Sequence, residues 1–283
     1  MITTQEENIE ITQEQMSQWV PFFALPCYDR QLTEPFFMSF IKTALYLKEN
    51  NMRFSMATVS DSLISRARNT LVAKFMANPI HTHMLFIDVD LGFEPEAILK
   101  LLWQDKDIVT AAYPIKEINW KKVADFAKQG VDPAKLSGKS TRFVVNPVKP
   151  GSNEIKVDKG ALAIYDAGTG FMLIKREAIQ KMMDAYPELK YNDDTGSLND
   201  EEKKYTYALF NSYVDSEQKR FLSEDYGFAR YWQNMGNAIW VDPSIELSHL
   251  GRFNFTGNLI EFLIDLEKKD VADTKRSKKP KKK

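Results

Sequence analysis

The chain has 283 residues and a mass of 32.6 kDa, with 43% hydrophobic and 27% charged residues; this is an ordinary globular make-up, long enough for one large domain with insertions or for two. Its single cysteine, Cys27, excludes an internal disulfide and suits a reducing compartment, and no run approaches the ~18 uninterrupted apolar residues of a membrane span. Net charge is −1, yet the last nine residues, "KRSKKPKKK", hold seven Lys or Arg and no acid, leaving −8 on the rest.

The opening residues, 1–19, are polar and acidic and do not read as a signal peptide. "PFFALPCYD" (21–29) then reads as a short buried strand. Residues 34–51 follow with Phe37, Ile41, Ala44 and Leu45 at helical spacing, which predicts a helix buried on that face. "MRFSMATVS" predicts a second strand, and "DSLISRARNTLVAKFMAN" a helix capped by Asp61 with Leu63, Ala67, Leu71 and Phe75 facing inward. "HMLFID" is a third strand, "EPEAILKLLWQ" a helix with Pro95 in its first turn, and "DIVTAAYP" a fourth strand. Four strands joined by helices predict an α/β fold with a parallel, doubly wound sheet.

Beyond Pro114 the pattern loosens. Residues 116–160 read as an insertion of mobile loops around one strand-like piece, "RFVVNPV". "ALAIYDAGTGFMLIKREAI" restores strand character and leads into a helix near 176–186, and residues 187–204 form a polar, acidic loop. The core resumes with "YTYALFNSYV", a helix at about 223–236 and the strand "AIWVDP", with the sheet running to about residue 250. An amphipathic helix, "NLIEFLIDLEKK", and a basic tail over 268–283 close the chain. That tail reads as a solvated end or as an electrostatic tether to nucleic acid or an anionic membrane surface.

The stretch "MLFIDVDLGF" (84–93) carries the chemistry. A strand built for the middle of a sheet ends in Asp88 and Asp90, and in open α/β sheets ligands bind outside the carboxyl ends of strands. Residues two apart on a strand point the same way, so both carboxylates can meet one ligand cluster. Two acids this close repel unless a cation lies between them, which suits Mn²⁺ or Mg²⁺ shared with a diphosphate. About one Asp-x-Asp arises by chance in a chain this long, and "DKD" at 105–107 is a second one, set in a solvated turn. Asp88 can also serve simply as a cap for the turn before "GFEPEA".

"FIDVD" after a third strand, preceded by "DSLISRARNTLVAKFM", resembles the aspartate-x-aspartate motif of the GT-A fold glycosyltransferases. The order of elements also resembles the fungal Golgi α-mannosyltransferases and the glycosyltransferase-like proteins of phages and large DNA viruses. "AGTGFMLIKREAI", "SEDYGFARYW" and "IELSHLG" continue the resemblance, which spans roughly residues 20–260. It implies a Rossmann-like GT-A domain over 20–267, a nucleotide-sugar donor with UDP favoured over GDP, and a divalent metal holding the diphosphate. The chain shows no secretory segment, so a cytoplasmic setting is expected, that of the host cell if the source is a phage.

The resemblance also assigns roles. Asp90 and His249 become metal ligands, with Asp88 reaching the metal, its bound water or the donor ribose. Gly251 follows His249 and would let backbone approach a ligand. Asp61 reads the base or caps its helix. Arg68, in line with Ile64 and Val72 near a buried face, pairs with a structural carboxylate, with Asp88 or with a nucleotide phosphate. Arg66, Asn69, Cys27 and Tyr28 are further donor-pocket candidates, Thr169 and Gly170 the floor under the sugar, and Tyr113, Lys116 and Trp120 contacts beyond the fourth strand. Glu224 and Asp225, in the first turn of a helix capped by Ser223, suit the helix dipole in any case. In an inverting enzyme such an acid deprotonates the acceptor hydroxyl, and in a retaining one it orients a sugar; the mannosyltransferase-like order leans to retention. The acceptor is a glycan, a protein or a modified DNA base. A noncatalytic scaffold on the same fold is the alternative, and a nucleotidyltransferase would want a Gly-rich loop that "PCYDRQLTEP" lacks.

Overall fold

The computed structural model describes residues 11–146, 155–253 and 259–260. The chain divides into two compact units, Met1–Leu250 and Gly251–Lys283. In the second, Leu259 and Ile260 are helical; the rest of the expected terminal helix and the basic tail lie outside the described residues.

The first unit opens with a short helix, α1 (Gln13–Gln18), and then β1 (Pro21–Pro26), α2 (Glu34–Glu49), β2 (Ser55–Val59), α3 (Ile64–Ala77) and β3 (His83–Ile87). A two-residue strand, β4 (Leu91–Gly92), precedes α4 (Pro95–Trp103) and β5 (Ile108–Ala111). Next come α5 (Trp120–Lys128), α6 (Pro133–Ser140), β6 (Val145–Asn146), β7 (Val157–Asp158), β8 (Ala161–Ile164), β9 (Asp166–Ala167) and β10 (Phe171–Lys175). The unit closes with α7 (Arg176–Ala185), β11 (Tyr213–Val214), β12 (Phe221–Leu222), α8 (Glu224–Asn234), β13 (Ile239–Asp242) and β14 (Ser248–His249). Among the described residues no helix is long and apolar enough to cross a membrane.

Eight strands form one sheet in the order β2-β1-β3-β10-β5-β13-β8-β7, flanked by helices on both faces. Six of them run one way, as an α/β fold with a mostly parallel sheet requires, and β8 and β10 run against them. The expected run of four adjacent parallel strands is interrupted, because β10 inserts between β3 and β5 and pairs antiparallel with both. The period-two alternation of β1 and β3 explains the layers. Phe23, Leu25, Leu85 and Ile87 face a core shared with Leu47 of α2 and Ile98 of α4. Phe22, Ala24, Met84 and Phe86 face a second core with Phe75 of α3, Ile179 of α7 and Trp232 of α8.

Several local expectations need correction. On α2 the spacing was ambiguous, since apolar residues lie nearly all round; Phe36, Ser39, Thr43 and Leu47 are buried, while Phe37, Ile41 and Leu45 are exposed. Helix α3 begins at Ile64, so Leu63 lies outside it and is exposed. The 116–160 segment is not only loops: it contains the helical hairpin α5–α6, and "RFVVNPV" contributes β6, paired with β9, and a bridge from Phe143 to Pro114. The last strand of the main sheet along the chain is β13, and residues 248–249 pair instead with β4. At the carboxyl end of α3, the Arg176 guanidinium donates to the carbonyls of Phe75, Met76, Asn78 and His81. One side chain thereby ties the last turn of α3 to the segment that follows it.

His83, at the start of β3, is buried, and burial together with the nearby Lys175 ammonium pushes its imidazole down to about 4. The unfolded chain takes this proton below about pH 6.5 and the folded one only near pH 4. Stability from the neutral ring is therefore intact above pH 6.5 and lost as pH falls through that window. Urea unfolding from pH 7.5 to 4.5 should show wild type losing on the order of 2–3 kcal/mol more than His83→Gln. Identical slopes would contradict a buried neutral ring.

Candidate functional site

A cleft of about 720 Å³ opens at the carboxyl ends of β1, β2, β3 and β5. Its walls include Cys27 and Tyr28 after β1, Asp61 after β2, Asp88–Asp90 after β3, and Tyr113 and Lys116 after β5. Arg68 of α3 and His249 of β14 add to its polar lining. Strand ends collect here because parallel strands expose their unpaired termini and following loops at one edge.

The acidic stretch is not strand. β3 stops at Ile87 and residues 88–91 form a turn closed by the Leu91 amide donating to the Asp88 carbonyl at 3.1 Å. Asp88 and Asp90 therefore do not share one side of a strand, and the two carboxylates diverge to different partners within one cleft. Asp88 accepts from Arg68 Nη2 at 3.2 Å. Asp90 accepts from the Lys116 ammonium through one oxygen, and His249 Nε2 lies 3.2 Å from the other. Burial pushes the Asp90 carboxyl up, but hydrogen bonds with His249 and Lys116 outweigh it and hold the group below the usual carboxylate range.

His249 reaches Asp90 by way of a backbone ladder that the sequence does not advertise. β14 pairs antiparallel with β4, placing His249 opposite Leu91, and the Leu250 amide donates to the Asp90 carbonyl at 3.0 Å. His249 Nδ1 is 2.7 Å from the Pro114 carbonyl, which only accepts. Nδ1 therefore carries a proton, and in the neutral ring Nε2 turns its lone pair toward the Asp90 carboxylate. An imidazolium or a cation shared between the two resolves that contact. Asp88 stands apart from this pair, and among the described residues no group of three or more His, Cys, Asp or Glu is arranged to hold a metal ion.

Arg68 is buried, as its place on the inner side of α3 predicts, and it bridges two elements. Nη2 meets Asp88, and Nε meets Glu224 of α8 at 3.4 Å. Burial alone would weaken its hold on the proton; the charges of Asp88 and Glu224 overcome that and raise it further. Nη1 is buried and, among the described residues, has no hydrogen-bond partner; the same holds for the Thr169 hydroxyl on the loop before β10. Gly170 beside it has a steric reason: a Cβ there would stand 2.7 Å from an Asp88 oxygen and 2.7 Å from the Tyr113 ring.

Asp225 keeps a different environment from Glu224. Burial raises its carboxyl, and the charge of Glu224 adds to that against the Ser223 hydroxyl bond. Ser223 occupies the N-cap position, but its hydroxyl donates to Asp225 instead of accepting from the helix.

Five expected donor-pocket residues sit differently. Thr169 and Gly170 are buried and are not among the cleft residues. Arg66 is turned to Asp61, donating through Nε at 2.6 Å and Nη2 at 2.7 Å, which holds the Asp61 carboxyl below its usual range. Asp61 also accepts from the Leu63 amide at 2.9 Å, so it shapes the entry to α3 while lining the cleft. Asn69 does not face the cleft: its amide exchanges two 2.9 Å hydrogen bonds with the backbone of Phe210. Trp120 is exposed on α5 and is not among the cleft residues. Sequence reasoning missed Gln31, Leu32, Thr33, Ser62, Leu63 and Ile64 as cleft residues. Leu63 and Ile64 are exposed at the start of α3, and an apolar pair at a helix start is the signal that marks them.

No protein-family model matches the sequence, and no curated protein does. Among solved structures, A197 from STIV matches with a TM-score of 0.43 at 13% identity, over 83% of this chain and 86% of that one. GalNAc-T7, solved with UDP, GalNAc and Mn²⁺, matches with a TM-score of 0.41 at 10% identity over 86% of this chain, which spans 39% of that protein. The inositol-1-phosphate CTP transferase from T. maritima matches with a TM-score of 0.37 at 9% identity, over 88% and 96%.

Removing the Arg68 charge leaves Asp88 and Glu224 facing each other without compensation. Arg68→Met should cost about 3 kcal/mol at neutral pH, the low end for a broken buried pair because Asp88 is partly exposed. The deficit should shrink as pH falls and the freed carboxylates protonate. Thermal unfolding from pH 8 to 5 checks both; a variant as stable as wild type at pH 7 would contradict the bridging role.

Proposed function

We propose that the chain is a GT-A-type, metal-dependent glycosyltransferase that moves a sugar from a nucleotide-diphosphate sugar, UDP-linked in preference to GDP-linked, to an acceptor hydroxyl. The observation that supports it is the turn at Asp88–Asp90 set at the carboxyl edge of the sheet, with His249 oriented onto Asp90 by the Pro114 carbonyl. A carboxylate and an oriented imidazole fit Mn²⁺ or Mg²⁺, with diphosphate oxygens completing the set. A divalent ion held there would neutralise charge developing on the departing diphosphate.

The chain's own residues supply the rest. Cys27, Tyr28 and Asp61 line the end of the cleft suited to the base, with Arg66 steadying Asp61. Asp88 is held by Arg68 toward the ribose or the metal. Lys116 is placed to move from Asp90 to a donor phosphate, and Gly170, by lacking a side chain, leaves room for the Asp88 carboxylate and the Tyr113 ring that line the cleft. In transfer, the acceptor oxygen bonds to the anomeric carbon as its bond to the diphosphate breaks. Asp225, whose raised carboxyl is the better base of an α8 pair in which Glu224 is committed to Arg68, takes the acceptor proton in an inverting course. In the retaining course, toward which the order of motifs leans, Asp225 and Glu224 orient the two sugars and the departing diphosphate oxygen takes the acceptor proton. A noncatalytic binding role draws on one observation: both motif carboxylates already have cationic partners in Arg68 and Lys116.

Thermal unfolding with a panel of nucleotide sugars, with Mn²⁺ or with chelator, separates the two. Donor at about 100 times its dissociation constant should add roughly 2.7 kcal/mol, or about 5–11 °C at this size. The shift should need metal, favour one nucleotide class and vanish in Asp90→Ala. No shift with any donor in the presence of metal would favour the noncatalytic role.

A further inference from the structure

The helical hairpin α5–α6 is chemically unlike the rest of the chain. Between 116 and 142 there are seven Lys or Arg against three acids, on a protein that is net negative outside its tail. Arg142 is tied to Glu117 and Lys116 to Asp90. Lys121, Lys122, Lys128, Lys135 and Lys139 are all exposed, and among the described residues none has an ion-pair partner. Lys121 and Lys128 lie two turns apart on α5, and Lys135 and Lys139 one turn apart on α6. Apart from Ser140, no side chain of either helix is buried. At the foot of the hairpin, Ile118, Trp120 and Phe143 are 44%, 62% and 49% exposed.

We propose that this hairpin is a docking surface for anionic phospholipid bilayers, with lysines at the headgroups and the apolar foot in the interface. Lysines without ion-pair partners beside the exposed Ile118 and Phe143 are the make-up of an interfacial element. A nucleic acid would reward the lysines and stack a base on Phe143, but it offers aliphatic Ile118 no apolar interior to enter, whereas a bilayer takes both. The hairpin is joined to the cleft by short backbone links: the Ile115 amide donates to the Arg142 carbonyl, and Pro114 pairs with Phe143 beside Lys116. Docking therefore brings the cleft mouth to the bilayer, where an acceptor hydroxyl would be presented on a membrane-bound molecule. The surface stands independently of the transferase reading, whose test is donor-dependent stabilisation.

The test uses the full chain, so that the basic tail is common to every sample. An environment-sensitive fluorophore on Ile118→Cys reports the foot of the hairpin, since Cys27 is buried. The label should shift to the blue on vesicles of phosphatidylcholine with phosphatidylglycerol and stay unchanged on phosphatidylcholine alone. Each lysine near an anionic surface is worth about fivefold in partitioning, so Lys121→Glu, Lys122→Glu and Lys128→Glu together should weaken binding at least about tenfold. Cosedimentation without a label shift would mean that the tail alone binds and would overturn the proposal. So would an equal shift on neutral vesicles, unchanged affinity in the charge variant, or a shift with DNA but not with vesicles.

Discussion

A guanidinium with almost no access to water cannot remain without counter-charges, and Arg68 finds them on two elements far apart in sequence. Asp88 directly follows β3 and Glu224 opens α8. The cost of burying this charge is recovered only if α3, the β3 turn and α8 assume one mutual arrangement. The bridge therefore acts on geometry more than on net stability: it fixes where the acidic turn sits relative to the helix that carries Asp225. The cation–π contact of Arg68 over Phe86, 5.2 Å from the ring centroid, extends the same constraint into the core beneath.

A second constraint is the two-residue pairing of β4 with β14. Short as it is, it converts a residue 159 positions after Asp90 into its neighbour, and the Pro114 carbonyl then selects one orientation of the ring. A third is the ion cluster around buried Asp166, which accepts from Asn146, Arg220 and Arg230. It pins the β11–β12 hairpin and α8 to the strand leading into Thr169 and Gly170. The cleft is thus held from three sides by polar contacts whose partners come from distant parts of the chain.

That distribution explains what could be read in the sequence. The β1–α2–β2–α3–β3–α4–β5 succession was legible because each element carries its own period and its own caps or breaks. Arg68 was legible as a buried charge, although not which carboxylates it would choose. The acidic turn was placed at the right edge of the sheet but with the wrong local geometry, since nothing in "IDVDLG" distinguishes strand from turn. The burial of α2 was misread because Phe36, Phe37, Phe40 and Ile41 support two faces equally. Asn69 looks like a ligand-facing amide in one dimension and proves to be a backbone clamp on Phe210. The α5–α6 hairpin escaped notice because its apolar positions are few and only half-buried, so its periodicity is diluted by lysine.

The reversed strand β10 has a consequence for how the protein is made. It fills the slot between β3 and β5, yet emerges from the ribosome about 60 residues after β5. Until then the nascent chain holds β1, β2 and β3 with the apolar, uncharged edge "MLFI" of β3 unpaired. Such an edge is a template for pairing with another chain, and its closure waits on a long-range contact. During synthesis the amino-terminal half thus passes through a window in which its central strand is an open edge, and chaperone dependence should concentrate there.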